Sequence, residues 1–348
     1  MSLMHESFPS SAKVPLQFRA DGLFRVLMMT DAHRKPDRDQ TTIRFMESLI
    51  ERTQPDLVLL GGDNICGCAT REQFMEQLSL LVSPMERAGI PFAHVFGNHD
   101  RTPVLSKRWQ QERYESFPHC VSRRGPAELP GVGNHFLPVT DASGNLLFGI
   151  WTLDSHQDFS VPEEDIPYPD RADWHLFLPE RLHSRGNDDF IRLEQIRWYE
   201  ETSRNLELRC HRKIPSLMVF HIPIFEFHAL VRNASRTGFV GEYNESICCS
   251  EVNSGLFAAV LQRGDVRGIF CGHDHNNTFD GSYCGIRLGY AGSIGIQAYG
   301  LGSEDPLRDR DRLRGGRVLD ILLEDPWQIR TRMVFVRDGG EPVPRPLP

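Results

Sequence analysis

The sequence lacks the features that mark membrane proteins and secreted disulfide-rich domains. No apolar stretch is long enough to span a bilayer, and the N-terminal stretch MSLMHESFPSSAKVPLQF has no apolar core of the kind that a signal peptide needs. The eight cysteines are scattered and lack zinc-ribbon spacing, which favours reduced thiols. We therefore expect a cytoplasmic protein that does not bind membranes.

Positive charge is also scarce. The chain has 39 Lys and Arg against 47 Asp and Glu, which gives a net charge of −8 and an isoelectric point near 6.0. A protein that binds nucleic acid normally carries a basic face, so no nucleic-acid partner is expected. Internal repeats and low-complexity tracts are absent as well.

The length and composition are those of an ordinary globular protein. With 348 residues, 40% of them hydrophobic, the chain can bury a large core without disulfides. We expect an N-terminal extension over residues 1–20, a single domain over 21–340 and a C-terminal tail over 341–348. Residues 156–190 are polar and aperiodic, and such a long stretch is expected to form a surface loop that often belongs to a binding face.

The first hundred residues alternate between strand and helix patterns. Apolar helical faces are formed by Ile43, Met46, Leu49 and Ile50 and by Phe74, Leu78, Leu81 and Met85. The apolar strands that they separate are LFRVLMMT (23–30), LVLLGGD (57–63) and FAHVFGNHD (92–100). This order predicts an α/β fold with parallel βαβ units.

The rest of the chain mixes both kinds of element. Residues 135–155 predict a hairpin that turns at 141–145, and residues 191–208 predict a helix. SLMVFHIP (216–223) and VRGIFCGHDH (266–275) predict two further strands, with a helix between them around Leu256 to Gln262. The tail strands GIRLGYAG, GRVLDILLE and QIRTRMVFV have no helices between them, so they are expected to be antiparallel.

Polar side chains follow five of the apolar strands at the point where each strand ends. Because the carboxyl ends of parallel strands meet at one edge of a sheet, these side chains should converge. They are Asp31 and His33, then Asp63, then Asn98, His99 and Asp100, then His221, and finally His273 and His275.

The types of side chain indicate a metal site. Aspartate, asparagine and histidine without cysteine suit Mn, Fe, Zn or Co better than Ca or a thiolate zinc site. Seven ligands of these types would be too many for one metal ion, whereas two metal ions that share a bridging carboxylate would use all seven. Pairs of metal ions recur in enzymes that hydrolyse phosphoesters.

The five motifs D-x-H, G-D-x, G-N-H-D, a lone His and G-H-x-H, in this order, resemble the calcineurin-like metallophosphoesterase superfamily over residues 24–290. The resemblance implies a four-layer α/β/β/α sandwich of two mixed sheets flanked by helices. DLVLLGGDNICG, FHIPIFEF and AGSIGIQAYG are similar to a purple-acid-phosphatase-like subgroup that includes a fungal cell-cycle phosphatase. True purple acid phosphatases have a tyrosine ligand where this chain has Cys66.

The resemblance also implies roles for the residues at the strand ends. One ion would be held by Asp31, His33 and His275, and the other by Asn98, His221 and His273, with Asp63 bridging them. A metal-activated water would attack phosphorus in line, His99 would donate a proton to the leaving oxygen, and Asp100 would orient His99. The expected activity is that of a phosphomonoesterase on a small molecule or a phosphoprotein. The alternatives are a phosphodiesterase on cyclic nucleotides or other small diesters, a non-catalytic protein-binding scaffold and a nuclease.

Several of the candidate residues also have a simpler structural interpretation. His273 and His275 could be surface-loop residues, Asp31 a turn residue, His221 a hydrogen-bonded strand end, and His99 a structural residue. Arg34 and Arg101 are candidates for phosphate contact, with surface arginine as the default. The remaining histidines, among them His94, His135 and His156, are expected to be mostly exposed.

Overall fold

A computed structural model of the chain describes residues 14–37, 39–101, 105–157, 188–301 and 310–337. Over these residues the chain forms twelve strands and seven helices. The strands are β1 (Leu16–Gln17), β2 (Leu23–Met29), β3 (Leu57–Leu60), β4 (Phe92–His94), β5 (His135–Thr140), β6 (Leu146–Thr152), β7 (Ser216–Val219), β8 (Val266–Cys271), β9 (Asp280–Tyr283), β10 (Ile286–Tyr290), β11 (Gly315–Leu322) and β12 (Asp325–Phe335). The helices are α1 (Thr41–Thr53), α2 (Arg71–Ala88), α3 (Lys107–Glu115), α4 (Leu193–Cys210), α5 (Glu226–Arg232), α6 (Ala234–Thr237) and α7 (Leu256–Arg263).

The smaller sheet has five strands in the order β12-β11-β2-β3-β4. Strands β2, β3 and β4 are parallel, with α1 and α2 as crossovers, as the alternating pattern of the first hundred residues predicts. Strands β11 and β12 form an antiparallel hairpin, and β11 pairs antiparallel with β2. The two last tail strands therefore close one side of this sheet.

The larger sheet has seven strands in the order β1-β5-β6-β7-β8-β10-β9. Its β5–β6 hairpin turns where the sequence predicts, and the Asp141 carboxylate accepts hydrogen bonds from the backbone N–H groups of Ser143 and Asn145. The segment GIRLGYAG, which forms β10, was expected to lie antiparallel to the other two tail strands, and this expectation was wrong. Strand β10 lies in the larger sheet, where it runs parallel to β8 and pairs antiparallel with β9, a strand that was not predicted. Strand β1, which lies within the expected N-terminal extension, pairs with β5.

Three apolar cores separate four layers, because successive side chains of a strand point to opposite faces of its sheet. Leu27, Met29, Val58 and Leu60 pack under α1 and α2, whereas Val26, Met28, Leu57 and Leu59 face the larger sheet. On the far side of that sheet, Met218 and Ile269 pack against Tyr199 of α4 and Val260 of α7. The α/β/β/α sandwich that the resemblance implies is confirmed.

Local signals set the ends of the crossover helix α2. The Thr70 side chain accepts a hydrogen bond from the backbone N–H of Gln73, and Gly89 ends the helix in a left-handed conformation. Among the helices of the described ranges, none is long and apolar enough to cross a bilayer. Most of the predicted loop over 156–190, namely residues 158–187, lies outside the described residues.

Candidate metal centre

The ends of β2, β3, β7 and β8 are joined by backbone hydrogen bonds that fix the segments carrying the predicted ligands. The N–H of Asp31 donates to the carbonyl of Gly62 (2.9 Å), and the N–H of His33 donates to that of Asp63 (2.8 Å). Between the other two strands, the N–H of Gly272 donates to the carbonyl of His221 (3.1 Å). The candidate side chains are thus held at one edge of the sandwich.

Four of the predicted ligands form a buried cluster. Nε2 of His275 lies 3.2 Å from Oδ1 of Asp31, and Nε2 of His33 lies 3.3 Å from Oδ2 of Asp63. One ligand atom from each of these four residues lies within 4.8 Å of the others. Asp31, His33 and His275 are the residues predicted for the first ion, and Asp63 is the predicted bridging carboxylate.

The other three predicted ligands adjoin this cluster. Nε2 of His221 lies 3.3 Å from Oδ2 of Asp63, on the same carboxylate oxygen that faces His33. Nδ1 of His273 lies 3.0 Å from Oδ1 of Asn98, and the rings of His221 and His273 are 5.2 Å apart. All seven side chains therefore meet in one place, with Asp63 between the two groups.

Three atoms of the seven predicted ligands that could bind a metal ion lack a partner within the described part of the chain. Oδ1 of Asp31, Nε2 of His33 and Nε2 of His221 are buried and have no hydrogen-bond partner among the described residues. A buried polar atom without a partner costs about 1–3 kcal/mol, so native proteins rarely leave three of them together. Cations held between these atoms would satisfy all three, and this donor set fits transition ions.

The backbone is strained at the same positions. Eight described non-glycine residues have a positive φ, and four of them are Asp31, His33, Asp63 and His273. Such conformations are unfavourable for residues with a Cβ atom, and they cluster at functional sites. The backbone also approaches one predicted ligand closely. A Cβ atom at Gly97 would lie 2.2 Å from Oδ1 of Asp63, so the site needs glycine at this position.

The electrostatics of the cluster keep its carboxylates ionised. Burial alone would raise the pKa of Asp63, but the adjacent His221 and His33 hold that pKa well below its usual value. Burial would likewise lower the pKa of His221, yet the carboxylates of Asp63 and Asp31 raise it to about 10. Ionised carboxylates are the form that binds cations.

His99 and Asp100, the two predicted catalytic residues, lie in different environments. His99 is exposed and borders the cavity beside the cluster, with its ring 5.2 Å from that of His33. Asp100 is buried, and its carboxylate accepts hydrogen bonds from the backbone N–H groups of Asn64, Ile65 and Gly97. The expected orientation of His99 by Asp100 therefore needs correction, because Asp100 instead holds together the two loops that carry Asp63 and Asn98.

The cavity beside the cluster has a volume of about 280 Å³ and is bordered by several residues that were not predicted from the sequence. Cys248, Gln297 and Tyr299 border it, and the ring of Tyr299 stacks on His275 at 3.9 Å. Gln297 and Tyr299 lie in AGSIGIQAYG, one of the segments that carry the subgroup resemblance, so a signal was present. Asp188, whose carboxylate lies 3.3 Å from Nε2 of His273, had no signal.

Three expectations about other polar residues were wrong. Arg34 is fully buried and donates a hydrogen bond to Oε1 of Gln77 (2.8 Å), so it is neither a surface arginine nor a phosphate contact. His94, His135 and His156 are buried rather than exposed. His94 stacks on Tyr114, Nδ1 of His135 lies 2.6 Å from Oγ1 of Thr152, and Nε2 of His156 lies 3.0 Å from Oε1 of Gln195.

Comparison with known proteins identifies the family of the chain. The model of the family described as calcineurin-like phosphoesterase matches residues 24–277, which is most of the chain. The chain therefore belongs to the calcineurin-like phosphoesterase family, as the order of the five motifs indicates.

Individual relatives include proteins named as inactive and proteins named as phosphatases. The chain is 31% identical to probable inactive purple acid phosphatase 28 of Arabidopsis thaliana, over 83% of this chain and 75% of that protein. It is 26% identical to phosphatase DCR2 of Saccharomyces cerevisiae, over 76% of this chain and 46% of the yeast protein. The fold is similar to that of a dimetal phosphatase from Danio rerio, with a TM-score of 0.53, 12% identity and coverage of 90% of this chain and 99% of the other.

Proposed function

We propose that this protein is a binuclear metal-dependent phosphoester hydrolase that acts on phosphomonoesters, either small molecules or phosphoproteins. The observation that supports this most strongly is the meeting of seven Asp, Asn and His side chains at one edge of the two-sheet sandwich. Three of their buried N and O atoms have no hydrogen-bond partner among the described residues. The similarity to proteins named phosphatase points in the same direction.

In this proposal Asp31, His33 and His275 would hold one ion, Asn98, His221 and His273 would hold the other, and Asp63 would be shared between them. A pair of transition ions, Mn, Fe or Zn, would supply an activated water for in-line attack on phosphorus and would neutralise charge on the phosphoryl oxygens. The protein's part is to keep Asp31 and Asp63 ionised and to hold all donors in place through the strained backbone and the backbone hydrogen bonds of the strand ends.

His99 is the side chain best placed to act on the leaving group. It is exposed at the cavity, and its backbone N–H is anchored on Oδ1 of Asp63 (2.8 Å), which fixes its backbone relative to the cluster. A protonated imidazole there would donate its proton to the leaving oxygen. The cavity of about 280 Å³ is also compatible with a small diester, which keeps a phosphodiesterase as the second candidate.

A non-catalytic scaffold is the alternative from a different class. It is favoured by the name of the Arabidopsis relative, which describes that protein as probable inactive. Two observations speak against a scaffold: all seven ligand positions are filled in this chain, and His99 is exposed. A scaffold also has no need of buried N and O atoms without a hydrogen-bond partner, because each of them lowers stability.

The test combines metal analysis with turnover. The protein is purified without chelator, reconstituted with Mn²⁺, Fe²⁺ or Zn²⁺, and assayed on chromogenic phosphomonoesters and bis-esters. We expect close to two equivalents of metal and a metal-dependent activity that Asp63→Ala abolishes. Less than one equivalent after reconstitution, or no turnover of any ester by the loaded protein, would favour the scaffold. Faster degradation of single-stranded DNA than of small esters would favour a nuclease.

A further inference from the structure

The four histidines among the seven predicted ligands differ in the ring nitrogen that faces the other predicted ligands. His33, His221 and His275 all present Nε2 to Asp31 or Asp63. Each has its Nδ1 next to another group of the protein. These groups are Sγ of Cys66 (3.7 Å) for His33, the carbonyl of Gly61 (2.8 Å) for His221 and the carbonyl of Tyr299 (3.2 Å) for His275.

His273 is turned the other way. Its Nδ1 faces Oδ1 of Asn98 at 3.0 Å, within the cluster, and its Nε2 lies 3.3 Å from Oδ2 of Asp188. A neutral imidazole carries one proton, and an ionised carboxylate can only accept hydrogen bonds. A proton on Nε2 is therefore favoured by Asp188, and this leaves a lone pair on Nδ1 that faces Asn98.

The chain directly after Asp188 is anchored to the rest of the protein. The N–H of Asp189 donates to the carbonyl of Gln157 (2.6 Å), and the carboxylate of Asp189 binds the guanidinium of Arg192 (2.5 and 2.8 Å). Arg192 directly precedes α4. The side chains of His273 and Asp188 are only 12% and 19% exposed, so water competes weakly for this contact.

We propose that Asp188 is a positioning residue for the second metal ion: it accepts the proton on Nε2 of His273 and thereby presents Nδ1 as a metal ligand. This inference rests on the proposed function. With the proton on Nε2, two lone pairs, on Nδ1 and on Oδ1 of Asn98, face each other at 3.0 Å, a repulsion that a cation bound by both atoms would relieve. A carboxylate behind a metal-bound histidine typically accounts for about 10- to 100-fold in metal affinity.

The proposal separates the two ions, which gives a sharp test. Mn²⁺ is titrated by calorimetry into chelator-treated wild-type protein and into Asp188→Ala and Asp188→Asn. We expect Asp188→Ala to bind the second equivalent about 10- to 100-fold more weakly and the first equivalent unchanged. Asp188→Asn keeps an acceptor oxygen and should stay within about threefold of wild type.

The outcomes distinguish this inference from the proposed function. If wild-type protein binds fewer than two equivalents, the binuclear function itself is wrong. If wild type binds two and Asp188→Ala binds both with unchanged affinity, or loses both equally, only the role of Asp188 is wrong. As a check that needs no variant, nitrogen-15 NMR of the Zn²⁺-loaded protein should show His273 protonated at Nε2; protonation at Nδ1 would overturn the inference.

Discussion

Two groups of buried histidines in this protein have opposite properties. His94 stacks on Tyr114 with ring centroids 3.7 Å apart, and burial lowers its pKa to about 3. Burial also lowers the pKa of His135 to about 4. At the metal centre His221 is just as buried, yet Asp63 and Asp31 overcome the effect of burial and raise its pKa to about 10.

The difference shows what separates a structural histidine from a candidate ligand. Burial alone favours the neutral ring, which then packs like an aromatic side chain. A buried ring that faces ionised carboxylates, with an unsatisfied nitrogen between them, is instead part of a site for cations. The first group should therefore govern stability in acid, and the second should govern metal binding and catalysis.

The largest expected effect comes from Asp63→Asn, which keeps the shape of the side chain but removes the charge that faces both His33 and His221. Loss of several kcal/mol of transition-state stabilisation should reduce metal-dependent hydrolysis by about 10³-fold or more. Activity on a chromogenic phosphomonoester at saturating Mn²⁺ measures this. The control is His94→Phe, which alters a buried histidine of the first group and should retain most activity; equal losses would break the comparison.

A smaller effect is expected from Gly62→Ala, with Gly67→Ala as a matched control. Both glycines have positive φ (97° and 70°), so both alanines should cost about 1 kcal/mol in backbone strain. Only at Gly62 does the new Cβ collide with the ring of His221, 2.4 Å from its Nδ1, whereas Gly67 has open space. We expect Mn²⁺ affinity to fall about tenfold or more in Gly62→Ala alone. Equal affinities in the two variants would show that the centre adapts to a displaced His221.

Much of the fold was predictable because its signals are local. The alternating strands and helices of the first hundred residues fix three parallel strands, and the turn at 141–145 fixes a hairpin. The partner of β10 was not predictable, since strand pairing between distant segments depends on how the two sheets divide the chain. Strand β10 joins β8 and β9 in the larger sheet, while β11 joins β2 in the smaller one.

The site was predictable to the extent that the ends of parallel strands share one edge. Within the smaller sheet that rule brings Asp31, Asp63 and Asn98 together without any knowledge of contacts. His273 follows a strand of the larger sheet, and it reaches the same place only because the two sheets stack face to face. It says nothing about where a side chain points, so Asp100, two residues after Asn98, was assigned to His99 although backbone amides hold it. Asp188 approaches from the end of the long loop, and no periodicity in the sequence marks such a residue.

The next prediction concerns stability in acid. Because the folded-state pKa of His94 lies below the usual value of about 6.5, the unfolded chain binds a proton that the folded chain excludes. The stability is thus complete above pH 6.5 and is lost as the pH falls from there towards about 3. At pH 5 the loss is about 2 kcal/mol for this one histidine.

Urea unfolding of chelator-treated protein at pH 7 and pH 5 measures this loss, and His94→Phe removes it. The variant should lose about 2 kcal/mol less than wild type between the two pH values, whatever its stability at pH 7. Asp63→Asn should leave this difference in place when it is made in the same background. An unchanged pH dependence in His94→Phe would mean that the ring is protonated in the folded protein.

The smallest effect is expected at Cys66, the group beside His33. Its Sγ lies 3.7 Å from Nδ1 of His33, and a thiol is a weak hydrogen-bonding partner. Cys66→Ala should therefore weaken Mn²⁺ binding by less than about tenfold, at the low end for residues behind a metal ligand. Cys68→Ala removes a buried thiol that contacts the apolar core instead, and should lower the free energy of unfolding without changing affinity. If the two variants bind Mn²⁺ equally well, then His33 is oriented by Asp31, Asp63 and its own strained backbone alone. Its ring would in that case need no partner behind it, unlike that of His273.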